Sequence, residues 1–123
     1  MHINAKAHFG SLARLVLIAF AIDMEAQTLD TAEAIHHIGK EATVCGTIAS
    51  ERTASESRGK PTFVNLDKPY PSQIFTILVW GSDSGRVGKL PVTGRICATG
   101  TITEYRGVAE IVVRDSKNWF VPR

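Results

Sequence analysis

The sequence predicts an all-β domain in which five short strands coil into a small barrel. Two observations carry this prediction. Apolar and polar residues alternate with a period of two in most segments after residue 40, and clusters of glycine, proline and polar residues separate those segments at short intervals. A chain of 123 residues can hold one domain around one hydrophobic core, and its composition excludes collagen-like and coiled-coil proteins.

Residues 1–21 differ from the rest of the chain and are predicted to be a signal peptide. Lys6 and Arg14 precede an apolar run at 15–22, and Ala19-Phe20-Ala21 has the small-x-small pattern that signal peptidase accepts. This run is shorter than the about 20 apolar residues of a spanning helix, so no transmembrane segment is expected in the mature chain. The alternatives are an uncleaved anchor and a misassigned start codon. Export predicts a periplasmic or secreted protein.

Residues 22–40 are predicted to hold a linker and a short amphipathic helix at 28–39. Asp30 and Glu33 have the spacing of a capping box, and Gly39 is typical of the position just after a helix end. The apolar residues of the expected buried stripe lie three apart in sequence: Leu29, Ala32, Ile35 and Ile38.

The barrel is predicted to span residues 41–115, and residues 116–123 are predicted to be a C-terminal tail. The strands are expected at 41–50, 62–67, 74–80, 95–104 and 108–114. The first connection is polar, the third is long and rich in glycine, and the last is the tight turn Tyr105-Arg106-Gly107. This succession is typical of a five-stranded Greek-key barrel of the OB-fold kind with a short N-terminal helix.

Cys45 and Cys97 are predicted to form a disulfide bond. Each lies on the phase of its strand that faces away from the core, and the two strands are antiparallel neighbours in the predicted topology. An exported chain also enters an oxidising compartment, where a pair of cysteines normally closes. Gly46 and Gly100 fall on the inward phase of the same strands, where a missing side chain lets a strand coil sharply.

Several segments between about residues 29 and 115 carry a recognisable combination of residues. They are His37-Ile38-Gly39-Lys40, Thr43-Val44-Cys45-Gly46, Pro61-Thr62-Phe63-Val64-Asn65-Leu66, Lys68-Pro69-Tyr70-Pro71, and the stretch from Cys97 through Tyr105-Arg106-Gly107. Together they resemble small bacterial OB-fold modules related to the anticodon-binding type of nucleic-acid domain. The resemblance implies that the aromatic residue on the second strand, here Phe63, stacks on an unpaired base. The relatives place a polar residue on the third strand to read the base edge, whereas this sequence has Phe75 near that position.

The residues predict a surface that binds single-stranded nucleic acid. Strand alternation independently turns Phe63 and Asn65 away from the core. Stacking on bases is expected from Phe63, Phe75 and Tyr105, and neutralisation of phosphates from Arg52, Arg58, Lys60 and Arg106. The alternatives are that the two phenylalanines pack in the core and that the basic side chains are solvated loop charges.

The charge balance permits this binding without indicating a dedicated basic DNA binder. The formal net charge is +2, from 14 Lys and Arg against 12 Asp and Glu. Loss of Lys6 and Arg14 with the signal peptide brings the two signs into balance. Within the mature chain the positive excess lies after residue 40.

A second function class is a periplasmic or secreted interaction domain that binds a protein or an envelope polymer. Export favours this class, because an exported protein encounters nucleic acid only as extracellular or incoming DNA, or when it works beside a secreted nuclease. The chain is not expected to be an enzyme, since it lacks G-x-S-x-G and any nucleophile motif near its histidines. No metal or cofactor is expected, because His36 and His37 are sequence neighbours and lack the i, i+4 spacing of a shared metal.

Overall fold

The structure, a computed structural model, describes residues 27–123. The predicted signal peptide at 1–21 and the first residues of the predicted linker, 22–26, lie outside the described residues. The strands are β1 (Gln27–Asp30), β2 (Glu41–Thr53), β3 (Thr62–Leu66), β4 (Phe75–Val79), β5 (Arg95–Thr101), β6 (Thr103–Tyr105), β7 (Val108–Val112) and β8 (Trp119–Phe120). The helical segments are the 3₁₀ helices Thr31–His37, Gly81–Asp83 and Ser116–Asn118 and the α-helix α1 (Ser84–Val87).

The strands form one sheet that curls on itself. Its order is β6-β7-β4-β3-β2-β5-β8, and β1 pairs with β2 beside this path. The β1–β2 and β4–β7 pairs are parallel, and the other pairs are antiparallel. Only Ile102 separates β5 from β6, yet β5 pairs with β2 and β6 pairs with β7. The continuous segment from β5 to β6 therefore joins two strands that lie far apart in the strand order. The sheet must curl for one segment to reach both positions.

Strand β2 spans both halves of the curled sheet. Its first half pairs with β5 and its second half with β3, and the β2–β3 register shifts between Ile48 and Ser50. Such a bulge bends a strand and increases its twist. The bulge therefore explains how a strand of 13 residues follows the curvature of the sheet.

The core lies inside the curl and is built from alternate residues of the strands. The inward phase predicted for the first strand is correct, because Val44 and Gly46 are buried while their neighbours Thr43 and Cys45 are more exposed. Each fully buried aliphatic side chain, such as that of Val44, contributes about 1.5–3 kcal/mol to the free energy of unfolding. The largest buried side chains are Phe75, Leu66, Ile77, Ile96, Ile102 and Ile111.

The N-terminal helical segment differs from the sequence prediction. The chain is a strand as far as Asp30, and the following helix is a 3₁₀ helix. It turns Thr31 and Ala34 toward the core, whereas Ile35 and Ile38 are exposed. Apolar residues three apart match the period of a 3₁₀ helix as well as one face of an α-helix, so the spacing did not fix the helix type.

The side chain of Asp67 anchors the 3₁₀ helix to the sheet. Its Oδ1 accepts a hydrogen bond of 2.9 Å from the backbone N–H of Thr47, and its Oδ2 accepts one from the Thr31 hydroxyl. The Thr31 side chain occupies the space above Gly46, where an added Cβ would lie 2.6 Å from Thr31 Cγ2. Because Gly46 has no side chain, Thr31 of the 3₁₀ helix can pack directly against the sheet at this position.

The predicted Cys45–Cys97 disulfide is confirmed. The two residues are directly opposed in the β2–β5 register, with a Cα–Cα distance of 4.1 Å. On its other side, Cys97 pairs with Phe120 of β8. The adjacent Trp119 packs against the core, and its Nε1 donates a hydrogen bond of 2.9 Å to the carbonyl of Val87. Trp119 and Phe120, which lie in the segment predicted as a tail, thus pair with β5.

Within residues 27–123, no helix has the length and apolar character needed to cross a bilayer.

Candidate functional site

A cleft of about 770 Å³ lies on the outer face of the curled sheet. Residues of β2, β3, β4 and β7 and Gln73 of the loop before β4 form its floor, and Arg52 near the end of β2, Tyr70, Tyr105 and Arg106 form its exposed rim. Since outward side chains of adjacent strands stand beside one another, the register determines which of them meet in the cleft.

Four polar side chains form a row across the floor, which we call the polar row. Ser50 is paired with Asn65, Asn65 with Thr76, and Thr76 with Glu110. Each pair lies at directly opposed positions of two neighbouring strands. The polar row therefore crosses β2, β3, β4 and β7, at right angles to the strands.

Hydrogen bonds hold the first three members of the polar row in place. Asn65 Nδ2 donates to Ser50 Oγ at 3.1 Å, and Thr76 Oγ1 donates to Asn65 Oδ1 at 3.2 Å. Ser50 Oγ also accepts from the backbone N–H of Tyr70 at 3.2 Å. Asn65 and Thr76 are only 3% and 4% exposed, so these bonds satisfy polar groups that are costly to bury alone.

Two acceptors in the cleft have no partner among residues 27–123. Gln73 Oε1 is buried and receives no hydrogen bond there. The Glu110 carboxylate is half-buried and forms neither an ion pair nor a side-chain hydrogen bond with the described residues. Burial raises the pKa of the Glu110 carboxyl above its usual value, because desolvation penalises the ionised form. The Glu110 carboxylate is therefore free to accept hydrogen bonds from a ligand in the cleft, whereas Gln73 Oε1 lies beneath the surface.

Aromatic side chains surround the polar row. Phe63 is half-buried in the floor, opposite Arg52 of β2 and Leu78 of β4. Tyr70 and Tyr105 are 73% and 58% exposed and line the rim. The guanidinium of Arg106 lies over the Tyr105 ring, 5.1 Å from its centroid, which is a cation–π contact.

The structure brings together most of the residues predicted for the binding surface. Phe63, Asn65, Tyr105, Arg52 and Arg106 all line the cleft. Arg58 and Lys60 do not; they are exposed on the loop between β2 and β3. That loop leads toward Trp80 and Gly81, where the Lys60 Cβ would lie 3.1 Å from a Cβ added to Gly81.

The prediction that Phe75 belongs to the binding surface is wrong. Phe75 is fully buried in the core, and its neighbour Thr76 faces the cleft instead. All five residues of β4 are buried. Because both faces of this strand are mostly apolar, the sequence pattern could not show which residues point outward. A polar residue of the third strand therefore does face the candidate site.

The sequence prediction missed Ser50, Tyr70, Gln73, Thr76 and Glu110. A signal for two of them was present, because Thr76 and Glu110 are the sole polar residues in the otherwise apolar segments 74–80 and 108–113. A polar residue inside such a strand needs a partner or a function. The other three are recognised only from the strand register and the path of the loop before β4.

No group of three or more His, Cys, Asp or Glu within the described residues could hold a metal ion.

Comparisons with known proteins bear on the fold. No protein-family model matches the chain, and no curated protein matches it. Among solved structures, the OB-fold scaffold OBody AM1L10, solved bound to hen egg-white lysozyme, superposes with a TM-score of 0.55 at 16% identity, covering 84% of this chain and 98% of that chain. OBody AM2EP06, bound to the same lysozyme, gives a TM-score of 0.48 at 14% identity, over 74% of this chain and 91% of that chain.

A chain described as an aspartyl-tRNA synthetase from Leishmania major Friedlin gives a TM-score of 0.49 at 12% identity. The match covers 78% of this chain and 21% of that one, so this chain spans about a fifth of the synthetase's length. The likeness to AM1L10 and the strand pairing define the described residues as a mostly β protein with a curled, OB-fold-like sheet. The predicted resemblance to an OB-fold module is confirmed at the level of the fold.

Proposed function

We propose that this chain binds single-stranded nucleic acid in the cleft. The observation that carries the proposal is the position of Phe63, an aromatic side chain set half-buried among the strands beside a polar row that could meet a base edge. Tyr105 offers a second stacking platform at the rim. Aromatic platforms of this kind bind unpaired bases, because every base has a face on which to stack.

The proposed phosphate contacts are made by Arg52 and Arg106. Both are exposed and line the cleft, whereas Glu51 is an exposed acidic neighbour that offsets part of their charge. Each phosphate contact to a single strand changes log K by about −0.7 per unit of log salt concentration. Two contacts predict a shallow slope of about −1.4, and therefore moderate affinity that depends mainly on stacking.

The proposal includes a five-stranded Greek-key OB barrel as the scaffold. Its strands are β2, β3, β4, the bent strand β5–β6, and β7, with β1 and β8 as additions. The pairing of β5 with β2 and of β6 with β7, on either side of Ile102, supports this arrangement, because a single strand then pairs at both of its ends.

We also propose that the chain acts in the periplasm or outside the cell, without catalytic activity of its own. The Cys45–Cys97 disulfide supports this location, because cytosolic thiols are normally kept reduced. The proposed organisation has a signal peptide at 1–21, a linker and helix at 22–40, the barrel at 41–115 and a C-terminal segment at 116–123. The ligand would then be extracellular or incoming DNA, or a substrate of a secreted nuclease.

The proposal is tested by fluorescence anisotropy of a labelled single-stranded oligonucleotide titrated with the oxidised protein. Phe63→Leu keeps an apolar side chain but removes the stacking ring, and each lost stack is expected to cost about 1–3 kcal/mol. Phe120→Leu is the matched control, because Phe120 is exposed on β8 and does not line the cleft. Saturable binding that Phe63→Leu weakens and Phe120→Leu leaves intact supports the proposal. Absence of binding at low salt contradicts it.

A protein or an envelope polymer is the second candidate ligand. Two features of the cleft favour it: the exposed rings of Tyr70 and Tyr105 at the rim, and the near balance of Arg52 and Arg106 with Glu51 and Glu110. Tyrosine is enriched at the centres of protein interfaces. If oligonucleotides fail to bind, capture of a defined envelope polymer by the wild type and its loss in Tyr70→Ser would identify this function.

A further inference from the structure

The cleft separates positive charge from hydrogen-bond acceptors. Its cations, Arg52 and Arg106, are exposed at the rim, while the unpartnered acceptors Gln73 Oε1 and the Glu110 carboxylate are buried or half-buried below them. Asn65 Nδ2 and Thr76 Oγ1 each donate one hydrogen bond within the polar row. A ligand that enters the floor meets the Glu110 carboxylate as an acceptor that no described side chain occupies.

We propose, on the basis of the function proposed above, that the cleft selects nucleobases with an exocyclic amino group, namely cytosine, adenine and guanine, over thymine and uracil. The amino group would donate to the Glu110 carboxylate. A carboxylate that accepts from the amino group of cytosine is an established mode of base reading.

Thymine and uracil are disfavoured because they present a carbonyl oxygen where cytosine presents its amino group. Their one donor on that edge, N3–H, lies between two carbonyl oxygens that the Glu110 carboxylate repels, so it is a poorer partner than the amino group of cytosine. A site built to hydrogen-bond one group rejects an analogue that lacks it, because its buried polar atoms are then left unsatisfied.

The charge of Glu110 also determines which part of a bound nucleotide faces the floor of the cleft. A half-buried carboxylate repels phosphate, whereas Arg52 and Arg106 attract it at the rim. The base edge is therefore expected at the floor and the backbone at the rim. Hydrogen bonds to an ionised acceptor are stronger than neutral ones, so the amino contact is expected to affect affinity measurably.

The test compares an oligodeoxycytidine with an oligothymidine of the same length, near neutral pH. Both are pyrimidine strands of equal charge. Cytosine has an amino group at C4 and an unprotonated N3, whereas thymine has a carbonyl at C4, an N3–H and a methyl group at C5. The wild type is expected to bind the cytidine strand about tenfold more tightly. Glu110→Gln supplies an amide N–H that thymine can use, so it is expected to reduce this preference to about twofold or less.

Two further variants keep the test independent of folding. Glu110→Met removes the carboxylate acceptor without supplying a donor and is expected to lower the preference for cytidine by weakening cytidine binding. Glu104→Gln is the matched control, because Glu104 is exposed on β6 with its position opposite the buried Ala109 rather than in the cleft. It is expected to keep the full preference. Thermal melting of each variant confirms that it is folded.

Equal affinity for the two strands, unchanged by Glu110→Gln, overturns the inference and leaves the nucleic-acid function standing. Absence of binding to either strand removes both. If neither strand binds but a lysine-rich peptide does so in a manner that depends on Glu110, the floor accepts a cationic side chain, and the inference is likewise overturned.

Discussion

The hydroxyl of Thr76 donates a hydrogen bond of 3.2 Å to Oδ1 of Asn65, at directly opposed positions of β4 and β3. The same asparagine donates to Ser50 through its other amide atom. Asn65 thus uses both ends of its side chain to connect three strands beneath the cleft. The floor is therefore held in one arrangement before any ligand arrives.

We expect Asn65→Ala to destabilise the protein by about 1–3 kcal/mol, because it leaves the buried Thr76 hydroxyl without its acceptor. The measurement is urea unfolding. Asn118→Ala is the control, since no side-chain hydrogen bond of Asn118 exists within the described residues, and it is expected to change stability by less than about 0.5 kcal/mol. Equal effects of the two variants would contradict the bridging role of Asn65.

The salt dependence of oligonucleotide binding should distinguish the cations that line the cleft from those that do not. Arg52→Gln and Arg106→Gln are each expected to reduce the magnitude of the log–log salt slope by about 0.7, because each removes one phosphate contact. Arg58→Gln is expected to leave the slope unchanged, since Arg58 does not line the cleft. A slope that depends on Arg58 instead would place the backbone path along the β2–β3 loop.

Removal of the disulfide should lower stability without changing the fold. The bond joins residues 52 apart in sequence, and closing a loop of that length constrains the unfolded chain by about 4 kcal/mol. The double variant Cys45→Ala, Cys97→Ala is expected to lose much of this in urea unfolding. The reductant dithiothreitol should destabilise the wild type and have no effect on the variant; an effect on both would point to another cause.

Gly46 should not tolerate a side chain. An alanine Cβ there would lie 2.6 Å from Thr31 Cγ2 and would displace the threonine from Asp67, at an expected cost of about 1–3 kcal/mol. Gly85→Ala is the control, because no atom lies within 4 Å of its added Cβ and it is in the helix α1. It is expected to be neutral or to stabilise by up to about 1 kcal/mol. Thermal unfolding of both variants is the measurement that tests this prediction.

The raised pKa of Glu110 predicts a specific pH dependence of stability. Its folded-state pKa lies above the usual value near 4.5, so the unfolded chain releases the proton more readily. The stability contribution of the protonated group is complete below the unfolded pKa and is lost as pH rises through the folded pKa. We therefore expect the wild type to lose stability relative to Glu110→Gln as the pH rises above about 4.5.

The comparison is made by urea unfolding of the two proteins at each pH. The other titratable groups that line the cleft are common to both proteins and cancel in the difference: Glu51, Arg52, Tyr70, Tyr105 and Arg106. A difference that is constant across this range would show that Glu110 titrates normally.

The sequence predicted the fold well where one face of a strand is buried and the other is not. In β2 the alternation identified Val44 and Gly46 as inward, and this in turn placed Cys45 and Cys97 on the same outer face. The alternation failed in β4, because an outward residue such as Leu78 is also buried and no contrast remained to mark the phase. Phe75 was misassigned for this reason.

The candidate site was only half visible in the sequence. Phe63 and Tyr105 could be recognised as aromatic residues at a strand face and a turn. The polar row could not, because it consists of residues from four strands that are distant in sequence, and only the register brings Ser50, Asn65, Thr76 and Glu110 together. The register in turn depends on the bulge near Ser50, which no local pattern predicts.

The polar row and part of the rim of the cleft lie on different kinds of structure. Asn65, Thr76 and Glu110 are interior residues of strands, whereas Tyr70 and Arg106 lie on the connections between strands. Substitutions at the rim can therefore accumulate without disturbing the folded framework, while the floor is under the joint constraint of stability and recognition. Natural drift or a display library that varies the two tyrosines and Arg106 should change affinity and ligand size before it changes the chemical preference of the site.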